Sequence, residues 1–187
     1  MNAEKCIYVL LTDTGTIFTR MIKLVTKAPL NHASIAFDEH LSEVYSFGRK
    51  NPGNPFIGGF VKEDMTSKLF VSASCALYCY KVSDQTYEHM RASIRQMELE
   101  KQSYKYNLLG LFGLLLNIKY ERKHAYFCSQ FVAAVFEENG VVIAGKPSSM
   151  VRPGDFTEVP EFNLVYDGPL NLYVQQPLSG IPYVRTA

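Results

Sequence analysis

Short apolar runs bounded by turn-forming residues predict several β-strands along the chain. A polar turn at residues 38–42 separates two of these runs and predicts a hairpin. Glycines, prolines and asparagines are dense at 48–55 and predict a loop there. The runs lie at 6–11, 33–37, 43–47, 163–166 and 170–174, and a longer run at 69–82 predicts one long strand or two short ones.

Apolar residues that recur every three to four positions predict helices between these strands. In 84–102, Tyr87, Met90 and Ile94 recur at helical spacing while charged residues occupy the other face. Further helices are predicted at 16–25, 106–118 and 128–140. This mixture predicts an α+β fold in which helices pack against one antiparallel sheet, as a single domain spanning 1–187.

Composition narrows the classes of function. The chain has 187 residues, of which 47% are hydrophobic and 20% are charged, enough for one domain with a real core. A formal net charge of +1 gives no electrostatic basis for binding nucleic acid. The first residues lack the basic and apolar segments of a secretory signal, so we expect a cytoplasmic protein whose cysteines stay reduced.

The most apolar segment, 106–118, is too short to span a bilayer, which takes about 20 apolar residues. We therefore expect no transmembrane segment and a buried helix at this place. A peripheral membrane protein that uses the segment as an interfacial helix is an alternative. It ranks lower because the segment lacks a strongly basic polar face.

Cys128 has the sequence context of a reactive thiol. It follows a strand-like run and begins a helix, where unpaired amides and the helix dipole favour the thiolate. A free cysteine is nevertheless most often a small buried side chain, which is our expectation for Cys6, Cys75 and Cys79. The spacing of Cys75 and Cys79 is close to that of zinc ligands, but no second pair follows. We expect neither a metal nor a cofactor.

His32 is the candidate base for this thiol. It stands at the start of the strand predicted at 33–37, where a sheet can hold an imidazole in place. Alone, a histidine in this position is more often just hydrogen-bonded or exposed. A helix-start cysteine together with a distant histidine is the pattern of a thiol hydrolase or acyltransferase.

The order of two motifs resembles the circularly permuted papain-like cysteine hydrolases of the NlpC superfamily. That group includes the YiiX-type proteins and the relatives of lecithin retinol acyltransferase, and its histidine strand precedes its cysteine helix. The motifs are Asn31-His32-Ala33-Ser34-Ile35-Ala36-Phe37 and, after a helix-rich stretch, Tyr126-Phe127-Cys128-Ser129-Gln130-Phe131-Val132. The late turn Arg152-Pro153-Gly154-Asp155 also fits, so the resemblance covers most of the chain and implies a permuted papain-like domain.

The resemblance also implies a third polar residue that orients the imidazole from the following strand. Aligning that strand with 44–47 assigns this role to Ser46, with the neighbouring Tyr45 and the charged Glu43 as alternatives. The backbone amide of Cys128 and a tyrosine hydroxyl are expected to stabilise an oxyanion. Tyr8 and Tyr126 are the candidates for that tyrosine, and buried packing is the alternative for both.

Taken together, the sequence predicts a hydrolase of the cysteine peptidase, or thiol protease, kind, or an acyltransferase. It would act on an amide or ester bond of a small peptide, an amino-acid amide or a lipid, with Cys128, His32 and Ser46 as site residues. A noncatalytic small-molecule-binding module on the same fold is the alternative. The weak third residue favours that alternative, and the presence of both Cys128 and His32 argues against it.

Overall fold

The computed structural model of the chain describes residues 4–15, 29–50 and 58–175. The helix predicted at 16–25 lies outside these residues, as does most of the loop predicted at 48–55. Four α-helices lie within the described residues: α1 (Asp84–Leu99), α2 (Leu108–Leu115), α3 (Cys128–Glu137) and α4 (Leu170–Val174). The strands are β1 (Glu4–Asp13), β2 (His32–Ala36), β3 (Val44–Arg49), β4 (Gly58–Glu63), β5 (Ser74–Ser83), β6 (Lys105–Tyr106), β7 (Ala125–Tyr126) and β8 (Asn163–Pro169).

Six of the strands form one antiparallel sheet in the order β4-β3-β2-β1-β5-β8. The central strand β1 pairs with β2 on one side, where Thr12 lies opposite His32, and with β5 on the other. Strands β6 and β7 form a separate parallel pair that leads into α3. The predicted mixture of helices with an antiparallel sheet is therefore confirmed at this level.

The two faces of the sheet carry two apolar clusters, because alternate residues of a strand point to opposite sides. Ile7, Val9 and Leu11 of β1 pack in the same cluster as the buried residues of α1 and α3. Leu10 belongs to the other cluster, together with Leu170 of α4. Helix α3 is therefore anchored on one face of the sheet, which fixes the position of its first residue, Cys128.

The strand predicted at 170–174 is wrong, since this segment forms helix α4. Leu170 and Tyr173 are buried, whereas Leu172 is half-exposed. Burial at i and i+3 is helical, while a strand would have placed Leu170 and Leu172 on the same face. Of the run at 69–82, only the part within β5 is a strand, and the residues before it form successive turns.

The expectation of reduced cysteines is wrong for one pair. Cys6 of β1 and Cys79 of β5 form a disulfide, with their Cα atoms 5.6 Å apart. The neighbouring strands bring the two residues together, because Cys79 lies opposite Tyr8, two residues along from Cys6. Sequence reasoning missed the pairing because it depends on strand register. Cys75 and Cys128 are free and buried.

Candidate active site

Cys128 is the first residue of α3, and the preceding Phe127 has extended backbone angles that end strand β7 and begin the helix. The side-chain oxygen of Gln130 accepts hydrogen bonds from the Phe127 N–H, at 3.4 Å, and from Asn107 Nδ2, at 3.3 Å. Asn107 also caps the start of α2 by accepting the Gly110 N–H at 3.0 Å. One buried polar network therefore holds the starts of both helices and the backbone on which the thiol is mounted.

The structure brings His32 and Cys128 together. His32 begins β2, and its imidazole is close enough to the Cys128 sulfur to act on the pKa of the thiol. Burial alone would raise the pKa of the Cys128 thiol. The hydrogen bond and charge of His32, with backbone N–H groups of Ala33 and Ser129, outweigh that effect and lower this pKa. A lowered pKa favours the nucleophilic thiolate.

Glu63, the last residue of β4, contacts the other side of the imidazole. Its Oε1 lies 2.8 Å from His32 Nε2, so Nδ1 is the ring nitrogen left for the sulfur. Ser46 Oγ donates to the same carboxylate oxygen at 2.7 Å, and Ser34 Oγ donates to Oε2 at 2.5 Å. Burial would raise the pKa of Glu63, but His32 and the two serine hydroxyls lower it, so the carboxylate is ionised.

The imidazole is consequently held in its charged form. Burial alone would lower the pKa of His32, but the charge of Glu63 and the interactions with Cys128 raise it to about 10. The site is a line of three interacting groups: a thiol whose pKa is lowered, an imidazolium and a carboxylate. Each charge stabilises its neighbour in a poorly solvated environment, where such interactions are strong.

The carboxylate hydrogen-bonded to the imidazole is not one of the three residues that were considered from the sequence. Ser46 is buried and contacts Glu63, not the imidazole. Tyr45 donates its hydroxyl to Glu43 at 3.1 Å, and Glu43 pairs with Arg91. Glu63 occupies the position at which Ser46, Tyr45 or Glu43 was expected.

Sequence reasoning missed Glu63 because it missed strand β4. The run Phe60-Val61-Lys62 is strand-like, but it is short and follows a glycine pair, and it was not among the predicted strands. In the structure Ser46 pairs with Val61, and this register places Glu63 at the end of the strand beside the histidine. Only the pairing of β3 with β4 reveals the contact.

Tyr106 is close enough to Cys128 for the charge of the thiol to act on it. Burial and the charge on Cys128 raise the pKa of Tyr106, which lies in β6 opposite Tyr126. Tyr126 itself is in an aromatic contact with Phe47. Tyr8 packs against the apolar cluster on the other face of the sheet from α3. Of the tyrosines, Tyr106 is therefore better placed than the two candidates from the sequence.

A cleft of about 310 Å³ opens beside the thiol. One wall is apolar and comes from α2, through Leu111, Leu114 and Leu115. The opposite wall is the turn after Arg152, in which Asp155 accepts the Arg152 N–H and pairs with Lys146, both at 2.8 Å. The cleft is lined by Asn31, Leu111, Leu114, Leu115, Cys128, Ser129, Arg152, Pro153, Gly154, Asp155, Thr157 and Glu158.

The arrangement places a thiol, an imidazole and a carboxylate in one line, with the thiol next to a cleft, and such a set of groups has the chemistry needed for nucleophilic attack and proton transfer. Within residues 4–15, 29–50 and 58–175, no group of three or more His, Cys, Asp or Glu side chains is placed to hold a metal ion. In the same residues, no helix is long and apolar enough to cross a membrane.

Comparison with protein-family models, with curated proteins and with solved structures found no match to this chain. The resemblance to permuted papain-like hydrolases therefore stays a prediction from the two motifs and their order.

Proposed function

We propose that this protein is a thiol hydrolase or acyltransferase that acts on an amide or ester bond. The observation that carries the proposal is the line Cys128–His32–Glu63, in which His32 is hydrogen-bonded to Glu63 and acts on the pKa of Cys128, and Cys128 lines the 310 Å³ cleft. A nucleophile within reach of a base, with the base oriented by a third group, is the general signature of covalent acyl transfer. A buried structural cysteine needs none of these partners.

We also propose that the domain is a permuted papain-like domain. The chain order supports this, because the histidine strand β2 and the carboxylate strand β4 both precede the cysteine helix α3. Packing of α3 against the antiparallel sheet that carries His32 supports it as well.

In the proposed reaction, the Cys128 thiolate attacks the carbonyl carbon, and the carbon–oxygen double bond becomes an oxyanion. The backbone N–H of Cys128 and the Tyr106 hydroxyl are the proposed donors to that oxyanion. As the intermediate collapses, the bond to the leaving amine or alcohol breaks, and His32 gives that group its proton. The acyl group is then held as a thioester on Cys128.

The thioester is resolved by water or by an amine or hydroxyl acceptor. His32, now neutral, takes the proton from the acceptor as it attacks the thioester carbonyl. Collapse of the second intermediate releases the acyl product and restores the thiolate beside the imidazolium. Glu63 stabilises the imidazolium in the first and last states, and Ser34 and Ser46 hold the carboxylate in position.

The dimensions of the cleft favour a small substrate: a short peptide, an amino-acid amide or a lipid ester. Its apolar wall suits an alkyl or acyl group, while Arg152 and Glu158 on the opposite wall suit polar or charged groups.

The direct test is to trap the thioester. The full-length protein is mixed with a panel of p-nitrophenyl esters and amino-acid p-nitroanilides, quenched in acid, and analysed by intact mass and peptide mapping. We expect one acyl adduct, on Cys128, and a burst of p-nitrophenol. Cys128→Ser should abolish both, and Cys75→Ser should change neither. Reversible ligand binding with no adduct across the panel would favour the noncatalytic binding module.

A further inference from the structure

Helix α2 is apolar around its whole circumference. Its eight residues are Leu, Gly or Phe, and Leu111 and Leu114 are buried against the cleft side. The other side faces solvent at i, i+3 and i+7: Leu109 is 56% exposed, Phe112 54% and Leu116 71%. Apolar residues all round are typical of a helix that is covered on both sides. Among residues 4–15, 29–50 and 58–175, packing covers only one side of α2.

The end of α2 extends this exposed stripe. Asn117 adopts a left-handed conformation, with φ of 58°, and the Ile118 N–H turns back to the Gly113 carbonyl at 2.7 Å. The Asn117 N–H donates a hydrogen bond to the Leu114 carbonyl at 3.2 Å. Together these hydrogen bonds form a common type of helix C-terminal cap. Ile118, which is 57% exposed, is thereby fixed beside the helix. The stripe is thus part of a hydrogen-bonded element.

Basic residues follow immediately. Residues 116–124 are exposed throughout and contain Lys119, Arg122 and Lys123. The acidic residue among them, Glu121, is engaged by Lys119 at 3.2 Å and by the Ser149 hydroxyl at 2.8 Å. Within the described parts of the chain, Arg122 and Lys123 form no ion pair. Since the whole chain has a formal charge of only +1, this is a local concentration of positive charge beside the apolar stripe.

We propose that this docking surface, made of Leu109, Phe112, Leu116, Ile118, Arg122 and Lys123, binds the surface of an anionic lipid bilayer. The apolar side chains enter the boundary between headgroups and acyl chains, and the two basic residues contact anionic headgroups. The basic charge that segment 106–118 lacks is supplied by the turn that follows it. Because the opposite face of α2 lines the cleft, docking would bring Cys128 close to the membrane surface.

The absence of tryptophan from the sequence makes a direct test available. Phe112→Trp introduces a single indole on the docking surface, and Leu172→Trp is the control on α4, where the native side chain is similarly exposed at 53%. Each protein is titrated with vesicles of phosphatidylcholine and phosphatidylglycerol in equal amounts, and with phosphatidylcholine alone. We expect the emission of Phe112→Trp to shift to the blue on the anionic vesicles and that of Leu172→Trp to stay unchanged.

Charge variants test whether Arg122 and Lys123 contact anionic headgroups. In the Phe112→Trp background, Arg122→Gln with Lys123→Gln should weaken partition into the anionic vesicles roughly 20- to 30-fold, about fivefold per basic residue. Lys68→Gln with Lys101→Gln removes the same net charge from exposed positions elsewhere and should leave partition unchanged. Added salt should weaken binding of the parent protein.

Three outcomes would overturn the proposal: no blue shift on anionic vesicles, equal partition into phosphatidylcholine alone, or equal losses in the two charge variants. Sedimentation equilibrium without vesicles tests the alternative that a second copy of the chain binds the docking surface. A dimer that Leu109→Ser with Leu116→Ser dissociates would assign the surface to a second copy of the chain. Vesicle binding is read from tryptophan emission and requires no turnover, so failure here leaves the acyl-transfer proposal standing, and failure of thioester trapping leaves this one standing.

Discussion

At the scale of single residues, the charge on Cys128 depends on partners that lie far apart in the sequence. His32 lowers the pKa of the thiol, and Glu63 acts on the thiol through the imidazole, to which it is hydrogen-bonded. The cysteine and histidine could be identified from the sequence because a helix start and a strand start each have local signals. Glu63 could not, because its contact depends on the register between β3 and β4.

Removing His32 should change the pH dependence of Cys128 alkylation. In the folded protein the imidazolium lowers the pKa of the thiol, whereas burial raises it. His32→Ala leaves only burial and the backbone donors, so the pH midpoint for reaction with iodoacetamide should move upward. The rate at neutral pH should fall about tenfold for each unit of that movement. Rates between pH 5 and 10 would measure it, and an unchanged midpoint in a folded variant would refute the activating contact.

Neutralising Glu63 should weaken the same charge indirectly. With Glu63→Gln the imidazolium loses its carboxylate, so the pKa of His32 falls from about 10 and the thiolate loses part of its stabilisation. We expect alkylation of Cys128 at neutral pH to slow about tenfold or more, equivalent to a shift of one pKa unit. Glu43→Gln, immediately before β3, removes the carboxylate that pairs with Arg91 and should leave the rate unchanged. Equal effects of the two variants would show that Glu63 is not the orienting residue.

Ser46 should act through Glu63. Its hydroxyl is one of two serine donors to the carboxylate, so Ser46→Ala should cost about 1 kcal/mol, the net value of one hydrogen bond. That corresponds to a slowing of Cys128 alkylation by about fivefold or less. In a double-mutant cycle, Ser46→Ala should have little further effect once Glu63→Gln is present. If the effects of the two substitutions on the alkylation rate were fully additive, Ser46 would act on Cys128 independently of Glu63.

At the scale of elements, helix α2 connects the nucleophile, the cleft and the solvent-facing apolar stripe. Its start is tied to α3 through Asn107 and Gln130, and its end turns back at Gly113. The apolar composition predicted a helix here, and the structure confirms one. The sequence expectation that the helix is buried is right for one face only. Periodicity could not reveal this, because both faces carry leucine.

The close return at the end of α2 requires glycine at position 113. A Cβ there would lie 2.7 Å from the Ile118 carbonyl oxygen, which is backbone and cannot move aside by rotation. Gly113→Ala should therefore lower the free energy of unfolding by about 1–3 kcal/mol, the range for overpacked sites. Gly154→Ala is the matched control, since no atom lies within 4 Å of the added Cβ. Urea denaturation of both variants measures the difference, and equal stability would contradict the packing of this turn.

At the scale of the whole molecule, the antiparallel sheet carries His32 and Glu63 and packs against the helix that begins with Cys128. The local apolar patterns were sufficient to identify most strands and helices, and hence the mixed fold with its antiparallel sheet. They were insufficient for the order of strands, for β4 and for the helical form of 170–174. The link between Cys6 and Cys79 also depends on the pairing of β1 with β5, which no local pattern specifies.

Reduction of the disulfide should destabilise the fold. The bond closes a loop of 73 residues in sequence, for which the loss of chain entropy in the unfolded state corresponds to about 4 kcal/mol. We expect the urea midpoint to fall when dithiothreitol is added to the wild-type protein. Cys6→Ser should start from the lower midpoint and show no further effect of the reductant. A wild-type midpoint insensitive to reduction would contradict the assigned bond.

The most direct measurement compares the two free thiols within one folded molecule. Burial and the charge of Asp167 raise the pKa of Cys75 to about 12, whereas His32 lowers that of Cys128. The protein is treated briefly with iodoacetamide at pH 7, and the labelled peptides are quantified by mass spectrometry. The account predicts that Cys128 is labelled first and that Cys75 is labelled only after unfolding. Labelling of Cys75 while Cys128 stays inert would contradict the claim that Cys128 is the activated nucleophile.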